Sequence, residues 1–134
     1  MKYKFPSDEW IKKLSELLNA SESYARSAKD WEGDFIFIVE PDEVYDQTAY
    51  FHLELFHGKS PGAAMVEEEN LPETEFIITA PYVTWRKVID SKLDPIQGMM
   101  TGQLKLKGDL MKIMRYPKAA QELVSCCADV PTEW

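Results

Sequence analysis

The sequence predicts an α+β fold: a single two-layer domain with a five-stranded, largely antiparallel sheet and helices covering one face. Three observations carry this. Strand-like runs recur five times: rich in β-branched and aromatic residues at 34–40, 48–57 and 75–79, short and apolar at 63–66, and alternating at 103–107. The first three along the chain are joined by short turn-rich segments, which favours antiparallel pairing. Stretches with apolar residues at i, i+3 and i+4 fall outside those runs, so helices and strands segregate into layers. At 134 residues, one domain is the natural reading, and no repeat or low-complexity linker divides the chain.

Taken in order, Ser7 is a good N-cap with Asp8 and Glu9 at the positive end of the helix dipole. Trp10, Ile11, Leu14, Leu17 and Leu18 form an apolar stripe, giving a helix over residues 7–19. A weaker helix is expected over residues 20–30. Gly33 marks a change of period. Phe35-Ile36-Phe37-Ile38-Val39 then reads as a central strand. A turn begins at Pro41, and the strand at 48–57 sets Phe51, Leu53 and Leu55 against His52 and Glu54. Residues 58–62 form a hairpin-like loop before the strand at 63–66. Glu67-Glu68-Glu69-Asn70 reads as a solvated charge run. After the strand at 75–79, Pro81 opens a helix in which Tyr82, Trp85 and Ile89 share a face.

Residues 94–114 concentrate the local signals. Asp94-Pro95 opens a helical turn with Ile96, Met99 and Met100 on one face, and Gly102 ends it. Gln103-Leu104-Lys105-Leu106-Lys107 alternates, with both leucines on one side. Gly108 breaks the strand, and Asp109 caps a helix through Leu110, Ile113 and Met114. Pro117 interrupts or restarts that helix, whose stripe continues through Ala120, Leu123, Val124 and Cys127. Residues 130–134 read as a tail.

Composition limits the function. The chain is 45% hydrophobic and 12% aromatic, and its formal net charge is −8. That charge disfavours nucleic-acid phosphates and anionic membrane surfaces as partners. No apolar run approaches a bilayer span, and the first residues lack a signal-peptide core. Cys126 and Cys127 are adjacent and cannot close a loop, which fits a reducing compartment. A cytoplasmic location is the expectation. Catalytic signals are thin: there is no nucleophile elbow, phosphate loop or dinucleotide fingerprint. His52 and His57 are too badly placed on one strand to share a metal ion, and a His52–Glu54 pair is the only acid–base motif. No cofactor is expected. The notable concentration is apolar: Met99, Met100, Met111 and Met114 lie close together, with Trp85 upstream. Methionine adapts to irregular apolar surroundings, and spacing alone fits either a filled core or a cavity lining.

Phe76-Ile-Ile-Thr, Trp85 in a short helix, Lys92-Leu-Asp-Pro95 and Met100-Thr-Gly-Gln-Leu-Lys-Leu-Lys-Gly-Asp109 together resemble the sterol carrier protein 2 (SCP2) sterol-transfer domain. Ser91 stands where that family often has glycine, and the animal carrier's C-terminal peroxisomal address is absent. The resemblance implies an apolar tunnel for lipids between sheet and helices, and no catalytic residues. The expected function is non-enzymatic binding or transfer of a fatty acid, fatty acyl-CoA, sterol-like molecule or other lipid. The alternative is a dimerisation or accessory module of a lipid- or quinone-handling system. The chain is expected to be a monomer or homodimer without integral membrane association. The expected lining is Phe35, Phe37, Phe51, Leu53, Phe76, Ile78, Leu104 and Leu106 from the sheet. Trp85, Ile89, Met99, Met100, Met111 and Met114 are expected to form the helical lid.

Overall fold

Helix α1 (Asp8–Ala20) starts where Ser7 Oγ accepts the Trp10 N–H at 3.1 Å, and α2 (Glu22–Ser27) starts on the same device at Ser21. The computed structural model describes residues 1–134. The Asp8 carboxylate pairs with Lys12 at 2.6 Å and accepts the Met65 N–H at 2.9 Å, tying the first turn of α1 to the sheet edge.

The sheet contains β2 (Phe35–Glu40), β3 (Ala49–Leu53), β4 (Ala63–Val66), β5 (Phe76–Pro81) and β6 (Lys105–Lys107), in the order β4-β3-β2-β5-β6. Three pairings are antiparallel, but β2 and β5 at the centre run parallel. The sheet is therefore mixed. The β2–β3–β4 meander grows to one side of β2, and the chain then returns to add β5 on the other. The register aligns Phe35 with Leu53 and Phe76, and Phe37 with Phe51 and Ile78. These side chains share one face and join α1, α3 (Tyr82–Ile89), α4 (Pro95–Thr101), α5 (Leu110–Met114) and α6 (Pro117–Asp129) in one buried core.

Local chemistry in 94–114 follows the expected caps. Asp94 Oδ1 accepts the Ile96 N–H at 3.2 Å, Gly102 closes α4 at φ +83°, and Asp109 Oδ1 accepts the Met111 N–H at 2.9 Å. Pro117 occupies the first turn of α6 rather than interrupting a longer helix.

Three expectations need correction. The strand expected over 48–57 ends at Leu53, because Asp34 Oδ1 captures the Leu55 N–H at 3.0 Å and the chain turns through His57 at φ +49°. The alternating segment at 103–107 forms a strand only from Lys105. The two termini are ordered together: β1 (Tyr3–Lys4) pairs in parallel with β7 (Thr132–Glu133). Trp10 Nε1 donates to Thr132 Oγ1 at 3.0 Å, and the Arg86 guanidinium lies 4.7 Å from the Trp134 ring centre. Phe5 is buried between Trp10 and Trp134.

The β2–β3 turn is anchored by one carboxylate. Asp42 Oδ1 accepts the Val44 and Tyr45 N–H groups at 2.8 and 3.1 Å, and Oδ2 accepts the Val83 N–H at 2.9 Å, joining the turn to α3. Desolvation pushes the Asp42 carboxyl upward, but the three donors outweigh it and hold it below its ordinary 3.8. Because the folded value is depressed, this stabilisation is present above 3.8 and is lost as pH falls through the folded value. Asp42→Asn is expected to melt below the wild type at neutral pH, with the gap narrowing on acidification. Melting curves at several pH values give the answer; a gap independent of pH contradicts the assignment.

Candidate functional site: an apolar cavity between sheet and helices

Strand alternation puts Phe35, Phe37 and Val39 of β2, Phe51 of β3 and Ile78 of β5 on the helix-facing side of the sheet. Over them stands an unfilled space of about 110 Å³, lined by twenty residues, nineteen of them hydrophobic. Its helical walls come from Trp10, Ile11 and Leu14 of α1, and Trp85, Val88 and Ile89 of α3. Pro95 and Met99 of α4, Ile113 of α5, and Ala120, Leu123, Val124 and Cys127 of α6 complete them, with Phe5 and Leu104. A second void of about 50 Å³ lies towards Tyr24, Trp31 and Tyr116 and shares Phe35, Ile113, Ala120 and Leu123 with the first. Those four side chains are the partition between the two spaces.

The polar atoms of this wall are satisfied or neutral. Trp85 Nε1 donates to the Ile38 carbonyl at 2.9 Å, which fixes the indole while Phe37 meets it edge-on at 5.5 Å. Burial pushes the Cys127 thiol far above its ordinary value, with the neighbouring Cys126 adding to the effect, so it is an un-ionised thiol. No Asp, Glu, Lys, Arg or His lines the space. Such a wall offers contact and burial to an apolar guest, with no proton donor or acceptor of catalytic strength.

Of the residues expected to line a cavity, the structure brings together Phe35, Phe37, Phe51, Ile78, Trp85, Ile89, Met99 and Leu104 on this wall. Leu53 and Phe76 are fully buried away from it: Phe76 stacks between Trp31 and Phe35, at 5.5 and 5.0 Å. Leu106 is partly buried on edge strand β6. The expected methionine lid does not form. Met100 is 62% exposed and Met111 67% exposed, and Met114 also faces outward. Helix α4 has only seven residues, and it turns Met99 inward while Met100, one position on, points away. In α5 the inward position is Ile113. The stripes of α1 and α6 are visible as helical periodicity, but that periodicity carries no sign of a cavity.

His52 lies on the opposite sheet face, its Nε2 3.7 Å from Asp34 Oδ2 and without a hydrogen-bond partner. His57 pairs at the surface with Glu32 at 2.7 Å. No three His, Cys, Asp or Glu side chains converge as a metal-binding group.

The family model described as the SCP-2 sterol transfer family matches residues 11–121, which runs from within α1 through the five-stranded sheet to the first turn of α6. The chain belongs to this family. A crystal structure of sterol carrier protein 2 superposes with a TM-score of 0.83 at 35% identity, covering 92% of this chain and 97% of that one. The solution structure of TT1886, a conserved hypothetical protein from Thermus thermophilus, gives 0.83 at 34% identity, covering 93% and 88%. The UbiJ-SCP2 ubiquinone synthesis protein shares the fold at 0.51 and 14% identity, covering 82% and 84%. No curated protein sequence matches the chain. SCP-2 family membership supports lipid binding or transfer in general terms, and the cavity lies between the layers of that fold. No helix is long and apolar enough to cross a membrane.

Proposed function

We propose that this protein is a non-enzymatic carrier that takes a single apolar chain or ring system, such as a fatty acid, an acyl-CoA or a sterol-like lipid, into the cavity between sheet and helices. The observation that carries the reading is the wall itself: nineteen hydrophobic residues around an unfilled space, in a core that ordinary packing would close. Burial drives such binding at roughly 25 cal/mol per Å² of apolar surface, less the cost of ordering the guest. At about 110 Å³ the space is smaller than the roughly 300–1,000 Å³ of small-molecule sites, so a lipid enters by displacing side chains. The flexible Met99 and the partition residue Leu123 are the ones to move. We further propose that the carrier works in the cytoplasm.

Titration with a fluorescent fatty acid, alongside mass spectrometry of lipids extracted from the purified protein, tests this. Saturable uptake at one site per chain is expected; a folded protein with no saturable uptake of any lipid rules the carrier out. The small cavity also favours a second reading, an accessory module in a lipid- or quinone-handling assembly. The fold shared with the UbiJ-SCP2 ubiquinone synthesis protein is compatible with it. A ligand-free protein that forms a stable complex with another component supports that reading instead.

A further inference from the structure

The sheet has two broad faces, and the helices use one. On the other, Ile36, Ile38, Tyr50, Val66 and Ile77 stand side by side across β4, β3, β2 and β5. Ile36 is only 1% exposed yet lies outside the core under the helices. A sheet face left to water normally alternates to polar side chains; here His52, Thr79, Lys105 and Lys107 border an apolar centre of Ile36, Ile38 and Ile77. His52 Nε2 is buried here without a partner.

The two edges of this face carry opposite, unpaired charge. On β6, Lys105 and Lys107 point outward and are exposed. At the other edge the chain leaves β4 into exposed Glu67, Glu68 and Glu69. None of these five residues takes part in an intrachain ion pair. Glu68 and Glu69 lie near enough to Tyr50 to act on its phenol, which burial and their charge push upward. Tyr50 belongs to the row Val66, Tyr50, Ile38, Thr79, Lys105 that crosses the sheet. The acidic cluster and Lys105 therefore mark the two ends of one row.

We propose that two copies of this chain pack bare face to bare face, about a two-fold axis parallel to the strands. Such an axis reverses strand order but keeps position along the strands. It sets Glu68 and Glu69 of each copy over Lys105 of the other, twice. A two-fold axis across the strands would stack acid on acid and lysine on lysine. Charge thus selects one of the two symmetric arrangements. Stacked sheets lie about 10 Å apart, a gap that facing Glu and Lys side chains bridge. The cavity, on the far side of each sheet, remains free, so this assembly is independent of the carrier reading.

Light scattering and sedimentation should show a dimer that weakens with added salt. Ile77→Arg should give a monomer. Lys105→Glu, or Glu68→Lys with Glu69→Lys, should weaken the dimer about tenfold or more, and combining the reversals should restore it. The exposed charge variants leave the fold intact, as circular dichroism will show. In a Glu68→Cys, Lys105→Cys protein the two thiols sit at opposite sheet edges, four strand spacings or about 19 Å apart. A short bifunctional maleimide that reaches across the roughly 10 Å between facing sheets, but not across about 19 Å, can therefore link them only between copies. A monomer at every concentration overturns the proposal, as does a dimer that Ile77→Arg leaves intact. A dimer lost in Ile77→Arg but indifferent to the charge reversals and not cross-linked through the cysteine pair overturns the assigned axis.

Discussion

Gly108→Ala should cost about 3–5 kcal/mol of stability, while Gly102→Ala, six residues earlier, should cost about 1 kcal/mol. Both glycines have positive φ, at +135° for Gly108 and +83° for Gly102, and both flank β6. Their surroundings separate them. A Cβ on Gly102 meets nothing within 4 Å, so only the left-handed backbone resists the change. At Gly108 a Cβ falls 2.5 Å from Phe76 Cδ1 and 2.9 Å from the Glu75 carbonyl oxygen. Phe76 is fully buried against Trp31 and Phe35 and has nowhere to go, and the carbonyl belongs to the chain at the start of β5. Against a typical total of about 5–15 kcal/mol, the Gly108 change approaches unfolding. Urea denaturation of both variants measures the difference, and equal losses would show that φ alone governs these positions.

The contrast between the two glycines also separates what consecutive residues dictate from what only the assembled fold decides. Glycine at 102 and 108 marks the ends of local elements correctly, because caps and breaks are short-range chemistry. That Gly108 lies against Phe76 depends on β5 and β6 becoming neighbours, which no local pattern states. The same division holds elsewhere. The Phe35–Glu40 strand, the Ser7 and Asp94 caps and the α1 stripe are legible because each is written in consecutive residues. The parallel β2–β5 pairing is not, because it depends on where the chain returns after β4. The terminal strands β1 and β7 have two residues each, too few for any periodicity. For the cavity, apolar alternation singles out Phe51. Phe35, Phe37 and Ile78 sit in continuous apolar runs, where parity groups them on one face but the sequence does not say which face meets the helices. The lid expectation fails because methionine content signals adaptability while helix phase decides direction. Met100, Met111 and Met114 point outward, and the neighbouring Met99 and Ile113 supply the wall. Trp10, Leu14, Leu123 and Val124 belong to stripes plain in the sequence, but a stripe facing a cavity and one facing a filled core look alike there.

Trimming the partition between the two voids should separate a carrier from a merely imperfect core. Ile113 borders both spaces and is almost fully buried, so Ile113→Ala should lower the stability of the free protein by about 2–5 kcal/mol. If the voids are a ligand site, joining them also enlarges the room for a chain. Ile113→Ala should then bind long-chain fatty acids at least as tightly as the wild type, with longer chains gaining most. Ligand at about a hundred times its dissociation constant should return about 2.7 kcal/mol of the lost stability, seen as a raised melting temperature. Ala120→Phe makes the opposite change. A ring on α6 at the shared boundary fills the junction, with an overpacking cost of about 1–3 kcal/mol and loss of uptake. Opposite effects on binding from two substitutions that both lower stability cannot arise from general loosening of the fold. An Ile113→Ala protein that is destabilised but gains nothing from lipid, beside an Ala120→Phe protein that binds like the wild type, would place the ligand elsewhere. The voids would then be packing defects. The sign of the binding change is therefore decisive, since a cavity used by a ligand and one left by imperfect packing respond alike in stability and differ only in what fills them.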